Sequence, residues 1–97
     1  MLQSCVIRSV KHKGLRRFIE DDDASRLPPE MVERIRNMLT ALNDAVVLDD
    51  LDRPSYRLHQ LKGDMKGHHA VTVRANWRLT FRFEDGDVLN LDFVDYH

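Results

Sequence analysis

The segment Trp77–Phe93, WRLTFRFEDGDVLNLDF, decides the fold. Over residues 77–83 apolar and polar side chains alternate strictly, which is the pattern of a β-strand with one buried face. The stretch over residues 88–94 has Leu, Leu and Phe at alternate positions and predicts a second strand. An Asp-Gly pair between the two stretches is typical of a tight hairpin turn. The carboxy-terminal half is therefore predicted to be an antiparallel meander.

Matching the faces of the two strands predicts the register of this hairpin. A two-residue loop, Asp85-Gly86, mixes apolar with polar partners, whereas a three-residue loop over residues 84–86 keeps apolar partners together. The same reasoning predicts an odd-length turn over residues 74–76, which brings Val71 and Val73 onto the Trp77 face. The expected pairs are Phe81 with Leu89, Leu79 with Leu91, Trp77 with Phe93, and Arg78 with Asp92.

The opposite face of the same strands is polar and basic. In the predicted register it carries Thr72, Arg74, Arg78, Thr80 and Arg82. Guanidinium groups bind phosphate through paired hydrogen bonds, so Arg74, Arg78 and Arg82 are candidate phosphate-binding or RNA-binding residues.

Two amphipathic helices precede the meander. Leu15, Phe18 and Ile19 are spaced for one face of a short helix over residues 13–20. A longer helix is predicted over residues 30–45, because Met31, Ile35, Met38 and Leu42 form a stripe of period 3.6 after a proline pair. With a short opening strand over residues 5–10, the pattern predicts an α/β (α+β) fold.

Size and composition place the chain among small intracellular proteins. Its 97 residues are 42% hydrophobic and 32% charged, which suits one domain with a single core. The lone cysteine, Cys5, excludes a disulfide framework, and no apolar run has the roughly 18 residues of a membrane span. The net charge is −1, yet residues 8–17 hold five basic side chains and no acid. Residues 56–82 hold six basic side chains and one acid, so a basic face for a polyanion is expected.

Asp95-Tyr96-His97, at the carboxy terminus, combines an acid, a phenol and an imidazole. Each of these groups moves or holds a proton, so together they form a general acid–base set if the preceding strand anchors them. Taken alone, they equally suit an ordinary polar chain end. No metal site is expected: the acids at residues 21–23 suit a solvated loop, and the adjacent His68 and His69 point to opposite faces of a strand.

Four separated blocks carry a resemblance to a known family. They are HKGL at residues 12–15, YRLHQLKGD at 56–64, VRANWRLTF at 73–81 and DYH at 95–97. In this order they resemble the HigB-type toxins of the RelE/ParE toxin–antitoxin superfamily, over about Val6 to His97. The resemblance implies a compact RelE-like fold, with two helices on a largely antiparallel sheet. It also implies one toxin domain over residues 1–97, of which residues 1–5 are an extension.

The resemblance also implies an activity, namely cleavage of mRNA on the translating ribosome at the decoding site. The family's functional positions match His59, Lys62, Arg78, Asp95, Tyr96 and His97. Cleavage of RNA without a metal uses the ribose 2′-OH as nucleophile. The base is then Asp95, His97 or His59, and the acid is His97 or Tyr96, which is equally suited to stacking on a base. Lys62 and Arg78 are expected to stabilise the phosphate.

The implied partners are a cognate HigA-like antitoxin of the helix-turn-helix class, the 70S ribosome and mRNA, in the bacterial cytoplasm. No cofactor and no membrane are implied. The chain departs from the family at Gln60, where proline is usual, at His68-His69, where an aromatic pair is common, and in its low net charge. Two alternatives remain: a ParE-like gyrase poison, which needs no acid–base set, and an antitoxin-binding module without activity.

Overall fold

Residues 7–63 and 66–95 are described by the structure, a computed structural model. The predicted opening strand therefore lies partly outside the described residues, and so do Cys5, Tyr96 and His97 of the sequence predictions. Two α-helices come first and four strands follow them, which is the order predicted for the helices and the meander.

Helix α1 spans Lys13–Asp21 and begins at an imidazole cap. The Nδ1 atom of His12 accepts a hydrogen bond from the Leu15 amide at 3.0 Å, which satisfies an amide that has no partner within the helix. Leu15 and Phe18 are buried as predicted. Ile19 is not, because it lies at the rim of the helix's apolar face with 38% of its surface exposed.

Helix α2 spans Val32–Asp44 and follows a 3-10 turn over Pro29–Met31. All four residues of the predicted stripe are buried, which confirms the period-3.6 pattern. A second 3-10 turn, Leu48–Leu51, then leads to the first strand. None of the helices within the described residues is long and apolar enough to cross a membrane.

The four strands form one antiparallel sheet in sequence order. They are β1 (His59–Gln60), β2 (His69–Arg74), β3 (Trp77–Glu84) and β4 (Asp87–Asp95). At the outer edge of β4, Ile7 and Val10 make isolated parallel bridges to Val88 and Leu91. In place of the predicted opening strand, the described part of that segment thus has two bridges.

The predicted register of the β3–β4 hairpin is wrong. The loop has two residues, Asp85 and Gly86, and both have positive φ, at 52° and 85°, as a type I′ turn requires. The faces are matched instead by a bulge in β4, where Asn90 adopts φ 55° and the register shifts by one residue. The observed partners are Phe83 with Val88, Arg82 with Leu89, Leu79 with Phe93, Arg78 with Val94 and Trp77 with Asp95.

The turn between β2 and β3 is also shorter than predicted. Arg74 pairs with Trp77 across a two-residue loop, and the register shifts between Thr72 and Arg74. Arg34 of α2 stabilises this irregularity, because its guanidinium donates to the carbonyls of Thr72 and Val73. Val71 and Val73 are buried, so their predicted placement on the core side is confirmed.

A hydrophobic cluster of described residues lies between the helices and one face of the sheet. It joins Leu15 and Phe18 of α1 to the α2 stripe and to the strands. The strand residues in it are Val71, Val73, Leu79, Phe81, Val88, Leu91 and Phe93. Because the helices cover this face, the opposite face of the sheet is the one left for function; we call it the open face.

Candidate active site

The open face carries two rows of side chains that run across the strands. Partners in neighbouring strands share a face, so the register places Thr72, Arg78 and Val94 in one row. The next row consists of His59, Ala70, Thr80 and Asp92. Ala70 and Thr80 are buried but lie outside the main cluster.

Arg78 lies in the middle of this face, on the inner strand β3. Its Nη1 atom donates to the Thr72 hydroxyl at 3.0 Å and to the Ala75 carbonyl at 3.4 Å. The side chain is half-buried, so water screens its charge less than that of a fully exposed arginine. Of the predicted phosphate-binding residues, it is the one that lies in a central row of the open face.

His59 is exposed on the edge strand β1. Its Nδ1 atom is 2.9 Å from the Arg57 carbonyl oxygen. Because a carbonyl oxygen only accepts hydrogen bonds, Nδ1 carries the proton, and in the neutral ring Nε2 keeps its lone pair. The loop thereby fixes the tautomer that can accept a proton at Nε2. Gln60, the residue that departs from the family pattern, continues this strand opposite His69.

Asp95 ends β4, opposite Trp77, and is exposed. Three side chains support this end of the strand. The Phe93 ring stacks on Trp77 with centroids 4.7 Å apart, and the His12 ring meets Phe93 edge-on at 5.6 Å. The sequence marks His12 only as part of a family motif, and no periodicity reveals that its ring contacts Phe93 near the end of β4.

His59 and Asp95 lie on the two outer strands and on opposite faces of the sheet, because Asp95 pairs with Trp77 on the side that the helices cover. Three strand spacings of about 4.8 Å separate the His59 position from that of Asp92, roughly 14 Å in all, and Asp95 lies three residues further along β4. The two groups therefore do not form a contact pair. The compact acid–base set of Asp95, Tyr96 and His97 stays a prediction, because Tyr96 and His97 lie outside the described residues.

The other predicted cations lie at the margins. Lys62 is exposed in the segment after β1, and Arg74 is exposed at the end of β2. Arg82 forms an ion pair with Glu84, with Nη2 and Oε2 2.6 Å apart. Half-exposed pairs of this kind contribute under about 1 kcal/mol, so an approaching phosphate can replace the carboxylate.

Within residues 7–63 and 66–95, no three His, Cys, Asp or Glu side chains are grouped so that they could hold a metal ion. The acids at the end of α1 take part in ion pairs instead. Asp22 pairs with Arg36 at 3.1 Å, and Asp23 pairs with Arg17 at 3.7 Å. His69 is the first residue of β2, and His68 immediately precedes the strand.

Comparison with known proteins identifies relatives over nearly the whole chain. Residues 8–97 match a protein family described as the RelE-like toxin of the type II toxin–antitoxin system HigB. The chain is 46% identical over 92 residues to Endoribonuclease HigB of Proteus vulgaris, covering 95% of this chain and 100% of that protein. It is 36% identical over 89 residues to Toxin HigB-1 of Vibrio cholerae serotype O1, covering 90% and 93%.

Solved structures share the fold at lower identity. YafQ from Escherichia coli strain BL21(DE3) superposes with a TM-score of 0.51 at 18% identity, covering 89% of this chain and 87% of that chain. The YoeB–YefM complex from Staphylococcus aureus gives a TM-score of 0.57 at 13% identity, covering 94% and 97%. At such identities the likeness concerns the fold alone, two helices on an antiparallel sheet.

Proposed function

Because the chain belongs to the HigB family of RelE-like toxins from type II toxin–antitoxin systems, we propose that it is a ribosome-dependent endoribonuclease. It cleaves mRNA at the decoding site and so stops translation. The observation that carries this proposal is the placement of Arg78 at the centre of the open face, where its Nη1 atom donates to the Thr72 hydroxyl and the Ala75 carbonyl. A relative of 46% identity that is named an endoribonuclease supports it.

Cleavage proceeds by attack of a ribose 2′-oxygen on the adjacent phosphorus. The new bond joins the 2′-oxygen to phosphorus, the bond from phosphorus to the 5′-oxygen breaks, and the products are a 2′,3′-cyclic phosphate and a 5′-hydroxyl. A base removes the 2′ proton and an acid supplies a proton to the 5′-oxygen. No metal enters this scheme.

Arg78 and Lys62 hold the phosphorane, whose charge exceeds that of the phosphate diester. Arg74 and Arg82 hold neighbouring phosphates. His59 presents an Nε2 lone pair, which suits a base, while Asp95 and His97 are the rival bases. His97 or Tyr96 is the acid. His59 lies on the open face at β1, whereas Asp95 lies at the end of β4 on the Trp77 side of the sheet. In this proposal they therefore contact different parts of the bound RNA segment, and ribosomal RNA contributes to its positioning.

The partners follow from the family. A toxin of a type II system has an antitoxin partner, which we propose to be a HigA-like helix-turn-helix protein. The 70S ribosome and mRNA are the proposed targets, which places the activity in the bacterial cytoplasm. Residues 1–97 form one toxin domain in this proposal.

The test uses purified protein, 70S ribosomes paused on a defined message, and 5′-labelled mRNA read at nucleotide resolution. We expect cleavage at the decoding-site codon with ribosomes, none on naked RNA, and a loss of about 100-fold or more in His97→Ala. Thr40→Val, on the exposed side of α2, is the control. Intact mRNA from a folded protein that arrests growth would indicate gyrase or another target. Intact mRNA without growth arrest would leave only antitoxin binding.

A further inference from the structure

We propose that Thr72 is a positioning residue for RNA cleavage, because its hydroxyl fixes the direction of the Arg78 guanidinium. The inference rests on the proposed function, in which Arg78 holds the reacting phosphate. Thr72 matches none of the functional positions that the family resemblance implies, and its sequence context marks it only as one polar residue of a basic face.

The contact joins two residues that lie directly opposite each other in neighbouring strands. Thr72 of β2 pairs with Arg78 of β3, and the Oγ1 atom accepts from Nη1 at 3.0 Å. The Ala75 carbonyl accepts from the same nitrogen at 3.4 Å. Two acceptors on one nitrogen of a planar group fix the plane of that group. Neither acceptor carries a charge, so both direct the guanidinium without adding a negative charge of their own.

Thr72 is itself held firmly, so its hydroxyl is a fixed reference point. Its amide donates to the Tyr56 carbonyl at 2.7 Å, and its carbonyl accepts from Arg34 Nη2 at 3.2 Å. The β-branched side chain has few χ1 rotamers. A chain of contacts thus runs from helix α2 through the backbone of β2 to the central cation of the open face.

The neighbouring Thr80 shows that a threonine hydroxyl on the open face does not necessarily orient a cation. Thr80 lies in the adjacent row, 2% exposed. Its Oγ1 atom is buried and makes no hydrogen bond within the described part of the chain. Thr72, by contrast, is half-buried and its hydroxyl contacts Arg78. The arrangement therefore assigns the orienting function to the hydroxyl at position 72.

The test compares Thr72→Val, which keeps the side-chain shape and removes the acceptor, with Thr72→Ser, which keeps the hydroxyl. Thr40→Val is the matched control, since the Thr40 hydroxyl donates to the Arg36 carbonyl of the same helix. Three quantities are measured: the single-turnover cleavage rate on paused ribosomes, the ribosome concentration at half-maximal rate, and the thermal unfolding midpoint.

We expect Thr72→Val to lower the single-turnover rate by about tenfold to 100-fold, as a misoriented catalytic group does. The half-maximal ribosome concentration and the unfolding midpoint should stay close to those of Thr40→Val, because the charge of Arg78 remains. Thr72→Ser should restore the rate to within about threefold of wild type. Equal rates for the two valine variants would overturn the inference, and so would a serine variant as slow as Thr72→Val.

A second measurement does not depend on activity. Hydrogen exchange at the Arg78 guanidinium, followed by NMR, should be slower in wild type and Thr72→Ser than in Thr72→Val. Equal exchange in all three proteins would overturn the orienting contact. If wild type failed to cleave mRNA at all, the proposed function would fail, and this measurement would still decide whether Thr72 fixes Arg78.

Discussion

At the scale of single residues, the fold makes the His69 side chain harder to protonate. It is half-buried at the start of β2, and its ring lies 6.0 Å from that of Phe81. Burial lowers the pKa of His69 below the usual 6.5, and the neighbouring His68 lowers it further. The folded protein therefore binds a proton at this ring less readily than the unfolded chain does.

This difference predicts a pH dependence of stability. As the pH falls through 6.5 the unfolded chain protonates His69 first, so this ring's contribution to the free energy of unfolding decreases until the pH reaches the lowered pKa. Urea titrations of wild type and His69→Gln at pH 7.5 and 5.5 isolate the contribution, because the remaining histidines are common to both. We expect wild type to lose more stability than the variant on acidification. Parallel losses would contradict the assignment.

Residue types and strand alternation predict only part of the site. The placement of Arg78 and Thr72 on the face opposite the helices follows from alternation in β3 and from the pairing of β2 with β3. The predicted turn over residues 74–76 implies the pairing of Thr72 with Arg78 that the structure has. The wrong part of the prediction concerns β4, where the predicted register places Asp92 opposite Arg78 and the structure has Val94 there. The proton position on His59 depends on the Arg57 carbonyl, a local loop contact that no sequence pattern reveals.

At the scale of elements, the bulge in β4 determines which side chains reach the core. The extra residue at Asn90 lets Val88 and Leu91 both point towards the helices, and Val88 is fully buried. Strict alternation predicted Leu89 on that face; it is only half-buried. The Asn90 amide donates to the Ser9 hydroxyl at 2.8 Å, so a segment distant in sequence stabilises the bulge. Sequence-local reasoning cannot detect this contact.

Asn90 is accordingly a position where backbone conformation decides stability. At φ 55° glycine is unstrained and asparagine is tolerated, whereas a β-branched residue is strained by about 1–2 kcal/mol. We expect the free energy of unfolding of Asn90→Gly, measured by urea denaturation, to be within about 0.5 kcal/mol of that of wild type. That of Asn90→Val should be lower by about 1–2 kcal/mol. A valine variant as stable as wild type would mean that β4 pairs without this bulge.

At the scale of the whole molecule, charge is distributed unevenly in space. Several basic residues outside the open face are paired with acids; Arg8 with Asp87 at 3.2 Å and Arg36 with Asp22 at 3.1 Å are examples. In the proposed function, attraction to RNA depends on the local cations of the open face rather than on the net charge of −1. Binding through a few phosphate contacts weakens as salt rises.

The most direct measurement concerns the nucleophile. The cleaved phosphate is first mapped on a paused ribosome. Two messages are then compared: one carries a single 2′-deoxynucleotide immediately 5′ of that phosphate, and the matched message carries the ordinary ribose there. We predict that the ribose message gives a 2′,3′-cyclic phosphate and a 5′-hydroxyl, and that the deoxy message stays intact at that position. Cleavage of the deoxy message at the same phosphate and a similar rate would contradict 2′-oxygen attack on the open face.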